Sequence, residues 1–314
     1  MTDNIPNLFI IGAPKCGTSA LAHYLSEHPN VFFSDPKEPF FLSDDYPELK
    51  KQHGLHSIEN YFSLFGKADP QLHLVIAEGS TNYLASHTAI RNAISISPDA
   101  KFIVMLRNPV QVAHAYHMEQ IWARNEDERS FEAAWKLQVK RKKGQYIPGS
   151  CVAEQFLMYG ELTNFGPQIR RLYALVEKEN VMVILQEDLM SDPKAIYEKV
   201  LSFLNLPSDK RSEFPVINAS HSHRYEWLAD LILRPPRFLQ PVTLKFRRWA
   251  RIKKPFFIEV FKRHVRLKSE REPIEKSFES ELYEHFRPMV EELESMLGRD
   301  LSAWKGNHTE LKEA

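Results

Sequence analysis

Three charged residues stand where a chain can hold an anion and take a proton beside it. Lys15 lies inside Gly12-Ala13-Pro14-Lys15-Cys16-Gly17-Thr18-Ser19-Ala20. Arg107 follows the apolar run Lys101-Phe102-Ile103-Val104-Met105-Leu106 and precedes Asn108-Pro109. Glu38 sits in Asp35-Pro36-Lys37-Glu38-Pro39, where two prolines restrict the backbone around it. A lysine in a tight turn ahead of a helix adds a point charge to free backbone N–H groups, which suits a phosphate-like anion. An arginine fork matches phosphate oxygens two at a time. A carboxylate held between prolines and followed by Phe40 and Phe41 is a candidate proton acceptor. The same Lys37-Glu38 pair also reads as a surface ion pair, and Arg107 as one half of a structural salt bridge.

These residues need a scaffold that converges three turns. Residues 8–11 are apolar without alternation, as in a parallel strand covered on both faces. Gly12 and Gly17 bracket the turn, and Thr18 and Ser19 open a segment of helical period through Leu21, Tyr24 and Leu25. The two glycines have the spacing of the ATP-binding motif G-x-x-x-x-G-K-[ST], but Thr18 occupies the lysine's place and Lys15 comes three residues earlier. Further strands are predicted over 30–33, 74–77, 101–106 and 181–185. Helices are predicted over 89–96, 110–122, 152–176, 193–204 and 278–296, with 43–71 irregular or short-helical. Glu78-Gly79-Ser80-Thr81-Asn82-Tyr83 follows the third strand, and ligands of open parallel sheets sit beyond such strand ends. The alternation predicts an α/β fold, P-loop-like and three-layered, with a mostly parallel central sheet and C-terminal helical additions.

Composition bounds the rest. The chain has 314 residues, 43% hydrophobic, with formal net charge zero, so overall charge points to no polyanionic partner and no nucleic acid is expected. Two cysteines, Cys16 and Cys151, allow at most one bridge and fit a reducing compartment. No signal peptide or membrane-spanning run is read, and a cytoplasmic protein is expected. A single domain, 1–314, is expected to carry a basic insert at about 225–271. Residues 234–271 hold 13 Lys/Arg against Glu259 and Glu270, with aromatics interleaved. That segment reads as a solvated insert, as a guide for an anionic acceptor, or as a peripheral membrane contact. The run Lys140-Arg141-Lys142-Lys143 reads as a solvated face or flap. His221 and His223 lack a metal pattern. Cys16, at a helix start, reads either as a thiol of lowered pKa or as a small turn residue.

Several pieces occur in one order: Gly12 to Leu21, then Lys37-Glu38-Pro39-Phe40-Phe41, then Lys101 to Pro109, then Glu187-Asp188-Leu189, and last Leu297-Gly298-Arg299-Asp300-Leu301 with Trp304. This set resembles the sulfotransferases that use 3′-phosphoadenosine 5′-phosphosulfate (PAPS), bacterial members and the heparan sulfate branch above all, over roughly residues 7–305. The resemblance implies that Lys15, Cys16, Gly17, Thr18, Ser19 and Ala20 form the 5′-phosphosulfate loop. It implies that Arg107 holds the 3′-phosphate, and that Glu38 is the general base. It aligns the loop at 218–224 with the one that closes over the nucleotide. Two positions depart from the pattern. Ala115 stands where the family usually has a serine for the 3′-phosphate, with His114 and His117 beside it. Phe40 stands where the heparan branch usually has a histidine.

On this reading a sulfuryl group moves in line from PAPS to a hydroxyl or amine of a carbohydrate, lipid or small alcohol. Lys15 neutralises charge on the leaving oxygen, and Glu38 takes the acceptor's proton. No triphosphate needs clamping, so no metal is expected. Glu78, His53 and His56 are the alternative bases. Variable loops at 43–70, 124–150 and 225–270 are expected to form the acceptor pocket. The rival readings are a P-loop kinase or NTPase and a non-catalytic nucleotide-binding protein.

Overall fold

A computed structural model describes residues 4–217, 221–223, 266–268 and 273–306. Most of the expected basic insert, and with it the expected membrane contact, lies outside the described residues. The chain divides into two compact units, residues 1–116, 159–217 and 275–314 in one, and 117–158 and 218–274 in the other.

The first unit is built on a five-stranded parallel sheet: β1 (Leu8–Gly12), β2 (Val31–Phe33), β3 (Val75–Gly79), β4 (Lys101–Leu106) and β5 (Val181–Leu185), in the order β2-β3-β1-β4-β5. Every residue of β1 and β3 is buried, as is β4 after Lys101, which explains their unbroken apolar runs. Phe9 and Phe102 stack across β1 and β4 with ring centroids 5.5 Å apart. Residue pairing sets Ile10 beside Gly79 and Gly12 beside Val104, so the ends of β3, β1 and β4 lie side by side. After β3 the chain crosses over β1 to reach β4. The strand order therefore reverses beside β1, the place where open α/β sheets bind ligands.

Helices follow the strands: α1 (Thr18–Ser26), α2 (Pro47–His53), α3 (Ile58–Phe62), α4 (Ala89–Ile96) and α5 (Pro109–Trp122). Next come α6 (Phe131–Arg141), α7 (Tyr159–Leu162), α8 (Phe165–Tyr173), α9 (Gln186–Ser191), α10 (Pro193–Phe203) and α11 (Lys276–Leu297). The continuous helix expected over 152–176 is broken into a 3₁₀ turn at Glu154–Leu157, then α7 and α8. Pro167 accounts for the last break: it lacks an N–H to bond back, so a helix must start within the few residues before it. The apolar period is real but is shared among short segments.

The late motifs are structural. Trp304 Nε1 donates to Glu187 Oε1 at 2.8 Å, and Arg299 Nη2 donates to both oxygens of Asp188 at 2.9 and 3.0 Å. They fasten the segment after α11 onto α9, directly beyond β5. Gly298, at φ 60, takes the left-handed conformation that ends α11.

In the second unit the charged run is not wholly solvated. Arg141 is buried and forks onto Glu126, with Nη1–Oε2 2.6 Å and Nη2–Oε1 2.7 Å and no exposure of either side chain. Glu126 Oε1 also accepts from the backbone N–H groups of Asp127 and Glu128. A cavity of about 300 Å³ beside this pair is lined by Ile121, Arg124, Glu126, Asp127, Arg129 and Ser150. Among the described residues, His221–His223 pairs antiparallel with Arg266–Lys268.

Candidate active site

The turn after β1 is shaped by glycine at two places. A Cβ on Gly12 would stand 2.9 Å from Leu84 Cβ and 3.0 Å from the Thr81 carbonyl, so only glycine lets the segment after β3 close on this turn. Gly17, at φ 92, caps α1 without a side-chain hydrogen bond, and the first helical turn holds no acidic residue. The N–H groups of that turn are thus left to an anion rather than to a capping side chain. Lys15 has φ 63, in the left-handed region, a conformation that costs an L-residue on the order of 1–3 kcal/mol and collects at functional sites.

Cys16 is fully buried, and its Sγ donates to the Pro14 carbonyl at 3.4 Å. Burial pushes its thiol well above the ordinary value, while Arg107 and Lys15 pull it the other way and Glu187 adds to the rise. Cys16 is therefore a small packed turn residue and not an activated thiol. The same couplings show that both cations act on the turn. Thr18 is buried at the start of α1.

Arg107 leaves the end of β4 with Nε donating to Gln111 Oε1 at 2.9 Å, an orientation set from the first turn of α5. Asn108 Oδ1 caps that turn through the N–H groups of Val110 and Gln111. Ala115 is buried on α5 and brings no hydroxyl. His117 does not replace one: it is buried, and its Nε2 bonds the Glu128 carbonyl at 2.8 Å.

Glu38 reaches the same strand ends from the other side. Its N–H donates to the Gly79 carbonyl at 2.8 Å, docking the loop onto the end of β3. Lys37 Nζ meets Glu38 Oε1 at 2.7 Å, and Thr81 Oγ1 donates to Oε2 at 3.1 Å. The ion pair is partly exposed, so the carboxylate is oriented yet open to a reactant. Glu38 and Phe40, at φ 63 and 54, both hold left-handed backbone. Phe40 and Phe41 are half-buried; Phe41 lies flat on Tyr61 at 4.8 Å, and Lys50 Nζ covers its ring.

Beneath this loop lies Glu78, fully buried at the end of β3. Its Oε1 accepts from Ser80 Oγ at 2.6 Å and its Oε2 from Tyr61 Oη at 2.5 Å. Burial pushes its carboxyl up to about 7; the hydroxyls of Ser80, Tyr61 and Tyr83 pull it down and Glu38 pushes it further up. The sequence marked Glu78 as an alternative base, but gave no sign of this enclosure, since its hydroxyl partners come from α3 and from the loop after β3. His56 is exposed, and the His53 side chain lies outside the described residues.

The turn with Lys15, the loop with Glu38 and the arm of Arg107 thus meet at the ends of β1, β3 and β4. Among the described residues, no group of three or more His, Cys, Asp or Glu could hold a metal ion, and no helix is long and apolar enough to cross a membrane.

The sequence matches the family described as "Sulfotransferase domain" over residues 6–226. Carbohydrate sulfotransferase 15 of Mus musculus is 26% identical over 298 residues, an alignment covering 78% of this chain and 51% of that protein. Bifunctional heparan sulfate N-deacetylase/N-sulfotransferase 1 of Caenorhabditis briggsae is 35% identical over 217 residues, covering 68% of this chain and 23% of that protein. The chain thus spans about half or less of the length of these relatives. A crystal structure of a sulfotransferase from Alicyclobacillus acidocaldarius superposes with TM-score 0.69 at 24% identity, covering 96% of this chain and 99% of the other, a likeness of fold.

Proposed function

The chain belongs to the sulfotransferase domain family, and from that membership we propose that it transfers a sulfuryl group from PAPS to a carbohydrate hydroxyl or amine. The observation that carries the reading is the convergence at three adjacent strand ends: a lysine-bearing turn with an uncapped helix start, an arginine, and an oriented glutamate. Such a site suits a ligand with two anionic groups and one reacting centre. It takes its sulfuryl group from PAPS, whose 5′-phosphate is the leaving group.

The chain's residues divide the work. N–H groups from Cys16 to Ser19 hold the 5′-phosphate oxygens, with Ala20 closing the turn onto the Gly17 carbonyl, and Lys15 meets the negative charge that builds where the bond breaks. Arg107 takes the 3′-phosphate, held at the right pitch by Gln111. Glu38 accepts the proton of the attacking group, kept in register by Thr81 and Lys37. Ala115 leaves the 3′-phosphate one hydroxyl short of the family's usual set. The two relatives named for carbohydrate and heparan sulfate support a glycan acceptor. Two free cysteines support a reducing setting such as the cytoplasm.

The test begins with calorimetry using adenosine 3′,5′-bisphosphate, followed by transfer of radiolabelled sulfate from PAPS to N-desulfated heparan chains. Micromolar binding and label in the polysaccharide are expected. Absence of binding refutes the donor reading. Binding with no transfer to any glycan, lipid or phenol favours a nucleotide-binding role without catalysis.

A further inference from the structure

Glu78 is the most deeply enclosed carboxylate near the site, and the proposed reaction leaves it without a task. Its contacts lead in one direction. Ser80 Oγ donates its proton to Glu78 Oε1 and, with its lone pair, accepts from the Phe40 N–H at 3.0 Å. Tyr83, whose hydroxyl helps pull the Glu78 carboxyl down, accepts from the Leu42 N–H at 3.0 Å. Tyr61, the third partner, carries Phe41 on its ring. Three consecutive loop residues, 40, 41 and 42, are therefore each gripped by a side chain that Glu78 orients.

We propose that Glu78 is a positioning residue for sulfuryl transfer, fixing through Ser80, Tyr83 and Tyr61 the backbone that presents Glu38. The proposal rests on the reading of Glu38 as the base. Glu38 and Phe40 both hold left-handed backbone, which the chain keeps only where surrounding contacts over-determine it. In its ionised form Glu78 is acceptor-only and orients all its hydroxyl partners the same way: each must donate to it, which leaves the Ser80 and Tyr83 oxygens free to accept from the loop. An amide at position 78 cannot do this. Its NH₂ faces one hydroxyl, which must then turn its own proton away from position 78 and loses the bond that fixes its orientation toward the loop.

Glu78→Gln and the milder Ser80→Ala, each in the full chain, test it alongside Glu38→Gln. At pH 8.5, where the Glu78 carboxyl is ionised, with PAPS and N-desulfated heparan chains, kcat is expected to fall about 10- to 100-fold in both variants, the scale of a displacement near 1 Å at a reacting group. Affinity for adenosine 3′,5′-bisphosphate by calorimetry should stay within about twofold, because the nucleotide turn is not gripped by this network. The double variant Glu38→Gln/Glu78→Gln should turn over no more slowly than Glu38→Gln alone, since Glu78 acts through Glu38. A further tenfold loss in the double variant, or a parallel fall in nucleotide affinity, overturns the proposal. Full turnover in Glu38→Gln refutes the base instead, while wild-type turnover in Glu78→Gln with a dead Glu38→Gln refutes only the positioning role. A crystal structure of Glu78→Gln needs no acceptor: residues 38–42 should be displaced, and an unmoved loop rules the idea out.

Discussion

Glu78 also makes a prediction about stability that is independent of any substrate. The perturbation is Glu78→Gln, which keeps the shape of the protonated carboxyl and removes its titration. Unfolded, the carboxyl titrates near 4.5; folded, burial holds it at about 7. Between these values the unfolded chain has already lost a proton that the native chain still binds, so native stability falls as pH rises. Below 4.5 both states are protonated and the group contributes nothing. Above 7 the loss is complete, and at about 1.4 kcal/mol per pH unit it amounts to about 3 kcal/mol. Urea unfolding of the parent and of Glu78→Gln at pH 5 and pH 8.5 should therefore show the gap moving by about 2.5 kcal/mol in the variant's favour. Titrations not coupled to Glu78 are common to both proteins and cancel in the difference. A gap that stays constant within about 0.5 kcal/mol, given the scatter of such extrapolations, means the carboxylate is ionised throughout and refutes the argument. Carbon-13 NMR of carboxyl-labelled protein gives a second route: one resonance titrating near 7 should vanish in the variant. Because Glu38 pushes the Glu78 carboxyl upward, Glu38→Gln should move that same resonance to lower pH.

The remaining predictions concern the site and the second unit. Lys15→Ala should lower kcat by about 10²- to 10³-fold while circular dichroism is unchanged, as for loss of one preorganised charge on a leaving group. Glu38→Gln should lower kcat by about 10²- to 10⁴-fold, and near-normal turnover shifts the base elsewhere. Ala115→Ser places a hydroxyl on the buried face of α5 and should tighten adenosine 3′,5′-bisphosphate by about 3- to 10-fold in calorimetry, roughly 1 kcal/mol for one hydrogen bond. Unchanged affinity there excludes α5 from the 3′-phosphate site. Arg141→Met strands the buried Glu126 carboxylate and should cost about 3–5 kcal/mol by urea unfolding, whereas Glu126→Leu/Arg141→Met should recover most of it.

What the sequence made legible was whatever depends on local order. Apolar runs became the five strands, and β1, β3 and β4 show it most cleanly because a parallel strand buried on both faces has no polar side to show. The bounds of β4, β5 and α4 agree with the expected 101–106, 181–185 and 89–96. The turn at Lys15 was visible because two glycines and a helix start lie within a few residues. Less was legible where a residue's environment comes from elsewhere in the chain. Arg141 sits in a run of four cations and looks like any of them, yet its partner Glu126 lies fifteen residues back and takes it out of water. The 152–176 stripe kept its apolar period through two breaks, since burying one face does not require one continuous helix.

The same distinction separates the groups that do chemistry from those that hold them. Lys15, Glu38 and Arg107 announce themselves because each follows a strand end or lies between prolines. Glu78, Trp304 and Arg299 do not, because each is spent on a partner that the fold supplies. Trp304 and Arg299 close α9 against the segment after α11, and α9 carries Gln186, whose side chain would touch a Cβ added at Gly17. A motif more than 280 residues from Lys15 is thereby tied to the shape of the lysine's own turn. A phosphate-holding turn is only as well placed as the elements packed behind it. The site is thus read from charge beside strand ends, and its placement from side chains that the sequence shows without their partners.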